Sequence, residues 1–112
     1  MALMAKAPGK WNLADATKRI NECAASDELT LSWQEHAKER LRERDLIMAD
    51  AMHVLKRGFV LNDPEPATRE GYFKYRIEGT TPNSDGRTVA LVVIPDGAHE
   101  LKIVTIMWRD ER

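Results

Sequence analysis

The sequence predicts an α+β fold in which N-terminal helices pack on one face of a four-stranded, mostly antiparallel sheet. The 112 residues, 43% hydrophobic and 31% charged, suit one globular domain. Helical periodicity fills the chain up to Gly58, whereas alternating or continuously apolar segments fill the rest. The connections between the expected strands are short, as they are in an antiparallel meander.

Three helices are expected in the first half, at residues 13–25, 33–44 and 47–57. Asn12 is a suitable N-cap for the first helix. Ser32 and Glu35 have the spacing of a capping box, in which each side chain accepts a free backbone N–H, so the second helix should begin there. Gly58 follows the third helix, where a left-handed C-cap is expected.

Four strands are expected in the second half, at residues 59–61, 72–79, 88–94 and 101–109. Pro64 and Pro66 separate the first two strands, and two prolines so close should exclude regular structure. Alternation in the second strand places Lys74 and Arg76 on a polar face and Tyr75 on the opposite face. This polar face is either the solvent side of the sheet or one wall of a phosphate-binding groove.

The fourth strand alternates between two largely apolar faces, which is typical of a central strand. Thr105 is the polar side chain at its middle. Its hydroxyl either hydrogen-bonds a catalytic group or is simply tolerated in a strand, and the second alternative is favoured.

The charge balance gives no reason to expect strong non-specific nucleic-acid binding, because 17 basic and 18 acidic residues leave a net charge of −1. The single cysteine, Cys23, cannot form an internal disulfide and favours a reducing, cytoplasmic location. Residues 1–11 lack a signal-peptide core and are expected to be a flexible lead-in to one domain over residues 12–112. No membrane partner, metal site or cofactor motif is expected.

A row of cationic side chains is the most informative feature of the second predicted helix. His36, Arg40 and Arg44 drift by only about 80° around a helix and lie beside its apolar stripe. A cation beside a buried stripe is costly unless it is paired or lines a cleft. In the alternative, the arginines pair with acids such as Glu78 or Asp50 and only fix the helix, and His36 is a hydrogen-bonded residue near the helix start.

The chain resembles a bacterial family that is numbered 4258 among domains of unknown function. The pattern is HA-x-x-R-x-x-x-R-G-I-S-x-x-D-V-x-x-x-L-x-x-G, followed by two strand motifs. The matching residues are His36, Ala37, Arg40, Arg44, Leu46, Asp50, Val54, Leu55, Gly58, Tyr75, Arg76 and Ile103 to Ile106. The resemblance covers residues 33–109; Asp45 replaces the usual glycine, Ile47 replaces the usual serine cap, and the first helix is an addition.

That family is similar to the RelE-like and BrnT-like ribonuclease toxins, so the resemblance implies their fold and metal-independent RNA cleavage. RNA, either free or ribosome-bound, and a cognate antitoxin are the implied partners. His36 would act as acid or base, and Arg40 and Arg76 would hold the scissile phosphate. The remaining implied site residues are Arg44 and Lys74 on neighbouring phosphates, with Tyr75 and Thr105 in support.

Two other hypotheses remain open. The chain could be a non-catalytic module of the same fold that binds a protein partner through an exposed sheet edge, and the net acidity favours this. It could also be a thiol enzyme, provided that Cys23 is an exposed thiol of low pKa.

Overall fold

The computed structural model describes residues 7–110, which contain three helices and six strands. The helices are α1 (Leu13–Ala25), α2 (Glu35–Glu43) and α3 (Met48–Arg57). The strands are β1 (Thr30–Trp33), β2 (Phe59–Val60), β3 (Glu65–Pro66), β4 (Phe73–Gly79), β5 (Val89–Pro95) and β6 (Glu100–Trp108). Within this part of the chain, no helix has both the length and the apolar character needed to span a bilayer.

The sheet has the strand order β1-β6-β5-β4-β2, and the short β3 also pairs with β4. β1 runs parallel to β6, whereas the remaining pairs are antiparallel. The chain is therefore α+β, but the predicted four-stranded, mostly antiparallel RelE-like sheet is wrong: the sheet is mixed and six-stranded. The two additional strands are β1 and β3.

β1 replaces the predicted capping box. Ser32 lies in the strand opposite Lys102, and α2 begins two residues later than predicted, with Gln34 as an N-cap that makes no side-chain hydrogen bond. The backbone N–H of Gln34 donates instead to the carbonyl of Ile103 at 2.9 Å. Pairing with a strand 70 residues away thus overrides a local motif, which is why the sequence misplaced this helix start.

β3 occupies the segment in which two prolines were expected to exclude regular structure. Glu65 pairs with Lys74, and Pro66 pairs with Phe73. A proline is tolerated there because β3 lies at the sheet edge, where its missing N–H leaves no central ladder incomplete.

Side-chain caps fix the starts of α1 and α3, but the end of α3 differs from the prediction. α1 has the predicted bounds, and Asn12 Oδ1 accepts the Asp15 N–H at 2.8 Å. At α3, Asp50 Oδ2 accepts the Ile47 N–H at 2.9 Å and supplies the acidic half of a capping box. The left-handed conformation expected for Gly58 is wrong, since its φ is −80°.

Glycine is required at position 58 by close packing. A Cβ atom on Gly58 would lie 2.5 Å from the Val54 carbonyl oxygen and 2.7 Å from that of Glu78. The bare backbone therefore lets the end of α3 lie directly against β4 and sets the position of β2.

One core joins all three helices to the inner face of the sheet. Helix residues such as Ile20, Ala37 and Val54 pack with Tyr75 and Ile77 of β4. Lys74 and Arg76 alternate with Tyr75 and Ile77 and therefore lie on the opposite face, here called the open face.

The end of the N-terminal segment also contacts the domain. The Trp11 N–H donates to the Tyr75 hydroxyl at 2.8 Å, and the two rings stack with centroids 5.6 Å apart. The N–H of Gly9 donates to the carbonyl of Gly71 at 2.9 Å. Residues 1–6 of the expected flexible lead-in lie outside the described residues.

Candidate functional site

A cavity of about 420 Å³ opens on the open face of the sheet. It is lined by side chains from the segment between β2 and β3 and from the four strands β3 to β6: Asn62, Asp63, Glu65, Lys74, Arg76, Val92, Val104 and Thr105. Three of the predicted site residues, Lys74, Arg76 and Thr105, therefore meet in one place. We call this the open-face cavity.

An interruption of the sheet edge builds one wall of the open-face cavity. β2 and β3 both pair with β4, Val60 with Ile77 and Glu65 with Lys74. Four residues lie between Val60 and Glu65, whereas two lie between their partners. Because this segment is two residues longer than its counterpart, residues 61–64 must arch away from β4, and this arch brings Asp63 to the cavity.

A β-bulge in β6 builds the opposite side. Val92 pairs with Thr105 and Val93 pairs with Ile103, so Val104 is the extra residue. Both Val104 and Thr105 line the cavity. The buried positions of β6 are Leu101 and Ile103 before the bulge and Ile106 after it, so the spacing changes from two residues to three. The regular alternation predicted over residues 101–109 is therefore wrong beyond Ile103. Bulges are frequent next to active sites, where they redirect a side chain.

The charges in the open-face cavity fall into a free group and a paired group. Across the described residues, no hydrogen bond or ion pair involves the Lys74 ammonium or the carboxylates of Asp63 and Glu65. Arg76 Nε, by contrast, lies 3.0 Å from Glu78 Oε2. The free ammonium and carboxylates are available to a ligand.

Glu78 is contacted by two guanidinium groups. Its side chain is 6% exposed, and Arg109 Nε lies 3.3 Å from its Oε1 atom. Arg76 Nε and Glu78 Oε1 are both buried and make no hydrogen bond. Their contacts with Glu78 Oε2 and Arg109 Nε are therefore ion pairs without hydrogen-bond geometry. One carboxylate between two guanidinium groups leaves this cluster with an excess positive charge.

The cationic row on α2 does not reach the open-face cavity. The His36 side chain is 80% exposed, with Nδ1 3.6 Å from Glu39 Oε2. Arg40 Nη1 and Arg44 Nη1 lie 2.9 Å and 3.3 Å from Glu43 Oε2. The structure thus separates this row from Lys74, Arg76 and Thr105, and its arginines pair with an acid of their own helix.

Sequence reasoning did not single out several residues of the site. Glu78 was named as a possible partner of Arg40 and Arg44, and nothing local showed that it is buried between Arg76 and Arg109 instead. Asp63 and Glu65 lie among prolines and were expected in a loop. Their only sequence signal is the presence of acidic residues in the segment that precedes the basic strand face.

A second cavity, of about 290 Å³, lies between α1 and the turn before β6 and is lined partly by Cys23 and His99. Burial, and then the Glu100 carboxylate, raise the pKa of the Cys23 thiol. Such a thiol stays protonated at neutral pH, which argues against the thiol enzyme. Ser26 Oγ lies 3.4 Å from His99 Nδ1, but it caps the C-terminus of α1, where the helix dipole opposes an oxyanion.

No group of three or more histidine, cysteine, aspartate or glutamate side chains in residues 7–110 has the arrangement of a metal site. Comparison with family models gives one match, described as Domain of unknown function (DUF4258), over residues 33–108. Searches of curated proteins and of solved structures give no match. The matched segment runs from the last residue of β1 to the last residue of β6 and includes every lining residue of the open-face cavity. Because it spans more than half of the chain, this protein belongs to the DUF4258 family of domains of unknown function.

Proposed function

We propose that this protein binds RNA in the open-face cavity and cleaves it there without a metal ion, as a toxin-type ribonuclease that acts in the cytoplasm. The observation that supports this function is the grouping of Lys74, Arg76, Thr105 and two carboxylates around one cavity. The resemblance to RelE-like and BrnT-like toxins supplies the reaction class. A cognate antitoxin is then the expected protein partner.

The cavity contains the groups that this reaction needs. The ribose 2′-oxygen attacks the adjacent phosphorus, so a P–O2′ bond forms while the P–O5′ bond breaks. The products are a 2′,3′-cyclic phosphate and a free 5′-hydroxyl. In our proposal the Glu65 carboxylate accepts the 2′-hydroxyl proton, and the Lys74 ammonium, which lies opposite Glu65 in the strand register, donates a proton to the leaving O5′.

Arg76 would stabilise the charge that develops on the phosphorane. Its contact with Glu78 is made through Nε, which leaves the two terminal nitrogens to hold phosphate oxygens as a planar fork. Glu78 in turn fixes the guanidinium before RNA binds, so that little reorganisation is needed during the reaction. The Thr105 hydroxyl can donate a hydrogen bond to the same phosphate.

Lys74→Ala tests the proposal, because within residues 7–110 the Lys74 ammonium makes no ion pair that folding would lose. RNA cleavage is measured in EDTA, and the product ends are identified as 2′,3′-cyclic phosphates. We expect Lys74→Ala to lower the cleavage rate by about 100-fold or more. The matched control, Lys38→Ala on the outer surface of α2, should cleave like the wild type. Absence of cleavage by the wild type, or equal loss in both variants, would contradict the proposal.

A non-catalytic interaction module is the second candidate. Ile47 and Met48, at the start of α3, are more than half exposed, as are Phe59 and Leu61 at the sheet edge. If this candidate is correct, Leu61→Asp at the sheet edge should abolish binding of the protein partner, and no variant of Lys74 should have a phenotype.

A further inference from the structure

We infer that the substrate is single-stranded RNA, and that an unpaired base stacks on Phe59 beside the open-face cavity. This inference rests on the function proposed above and names its substrate class. Phe59 is 61% exposed in β2, the edge strand of the sheet, although an aromatic ring at an edge usually packs against a neighbour. An exposed ring needs an occupant that has a flat face of its own.

The strand register places this ring next to the phosphate-binding groups. Phe59 pairs with Glu78, so both side chains lie on the open face. Glu78 contacts the guanidinium groups of Arg76 and Arg109. Arg76 is two residues from Glu78 along β4, about 7 Å, and it lines the open-face cavity. A base on Phe59 would therefore have its own backbone within reach of the cavity.

The segments around Phe59 carry an excess of positive charge in a chain whose net charge is −1. Lys56 and Arg57 end α3 two residues or more before Phe59, and both are exposed. Across the part of the chain that the structure describes, neither side chain has an ion pair. Together with Lys74, Arg76 and Arg109 they make five cations on the segments that flank the ring and the cavity, against the three carboxylates of Asp63, Glu65 and Glu78. This local excess is complementary to a polyanion and unsuited to an uncharged protein partner.

Aromatic rings combined with unpaired cations bind single strands with little dependence on sequence, because every base has a stacking face. The bases of a duplex are stacked on one another and leave no face for Phe59. The same surface should therefore discriminate between single strands and duplexes. The free 2′-hydroxyl that the cleavage reaction requires restricts the substrate to RNA.

Phe59→Ala tests the inference, because this exposed side chain can be truncated without opening the core. Binding is measured by fluorescence anisotropy with a short, unstructured, fluorescein-labelled oligoribonucleotide and with the same strand in a duplex. We expect Phe59→Ala to weaken single-strand binding by about 5-fold to 150-fold and to leave duplex binding unchanged. Phe59→Trp should retain the affinity, and Ile47→Ala, a truncation of an equally exposed side chain at the other end of α3, should have no effect.

The outcomes separate this inference from the proposed function. If Phe59→Ala binds the single strand like the wild type while Lys74→Ala binds it weakly, the base-stacking role is wrong and the RNA site stands. If the wild type binds no RNA, both are wrong. The alternative occupant of the Phe59 ring is a second copy of this chain, and sedimentation of the wild type and of Phe59→Ala tests it. If the substitution dissociates a dimer and leaves the RNA affinity unchanged, the ring belongs to a dimer interface and the base-stacking role is wrong.

Discussion

Two carboxylates of this protein each lie between two arginines, and they differ mainly in where the arginines come from. Glu43 is contacted by Arg40 and Arg44 at 2.9 Å and 3.3 Å, and its side chain is 53% exposed. Glu78 is contacted by Arg76 and Arg109 at 3.0 Å and 3.3 Å and is 6% exposed. The distances are nearly the same, but water screens Glu43, whereas Glu78 is buried behind arginines that are themselves 37% and 62% exposed.

The difference shows what helical spacing can and cannot reveal about a site. The partners of Glu43 lie within three residues of it in the chain, so this cluster forms without help from the rest of the fold. Glu78 gains its second arginine from the end of β6, and the arch over residues 61–64 turns the adjacent surface into a cavity. A group of charges becomes a candidate site where tertiary structure limits its access to solvent.

The largest expected effect comes from neutralising each carboxylate in turn. Glu78→Gln removes a buried carboxylate that faces two partly exposed guanidinium groups, and we expect it to lower the free energy of unfolding by about 1–3 kcal/mol. Glu43→Gln should lower it by no more than about 0.5 kcal/mol, because exposed ion pairs contribute little. Urea unfolding at neutral pH measures both. Equal losses would mean that the exposure of the two clusters does not determine their contribution.

A third carboxylate, Asp50, sharpens the comparison because hydrogen bonds rather than arginines satisfy it. It accepts from the Thr81 hydroxyl at 2.7 Å, the Asn83 amide at 3.1 Å and the Ile47 N–H at 2.9 Å. Burial by itself would raise the pKa of Asp50, but these hydrogen bonds, with a smaller contribution from His53, outweigh it and lower the pKa. The network ties α3 to the loop between β4 and β5.

A lowered pKa in the folded state gives a definite sign to the pH dependence. The contribution of Asp50 to stability is present above the unfolded pKa of about 3.9 and is lost as the pH falls through the lower, folded pKa. Asp50→Asn should lower the free energy of unfolding at neutral pH by about 1–3 kcal/mol. Urea unfolding across the acidic range should also show a weaker loss of stability with acid than in the wild type. An unchanged acid profile would contradict the assigned pKa direction, and Glu43→Gln is the control.

Local signals predicted the parts of the fold that depend on neighbouring residues. Asn12 and the apolar stripe after it suffice for α1, and period-two alternation suffices to place Lys74 and Arg76 opposite Tyr75. β1 was missed because its partner, β6, is distant in sequence, and Ser32 fits a helix cap equally well. Local patterns do not encode which of two acceptable conformations a distant strand will stabilise.

The candidate site was half predicted for the same reason. The polar face of β4 follows from alternation, but the bulge at Val104 and the arch at 61–64 come from pairing registers that no single segment specifies. The row on α2 was predicted beside the buried stripe, but the side chains of His36 and Arg40 are 80% and 45% exposed. Helical projection does not show which residues at the border of the apolar stripe are covered by the sheet, and the His36 side chain is left in solvent.

The smallest expected effects are those of His36→Ala and Arg40→Ala, and they test the comparison most directly. Because neither side chain lines the open-face cavity, we expect both variants to bind and cleave RNA within about twofold of the wild type, whereas a catalytic acid or base contributes about 100-fold or more. Cleavage rates in EDTA, measured beside those of Lys74→Ala, provide the comparison. Loss of cleavage in His36→Ala with normal folding would show that the substrate contacts α2. The catalytic role implied for His36 by the family resemblance would then be correct, and the open-face cavity would hold only the flanking phosphates.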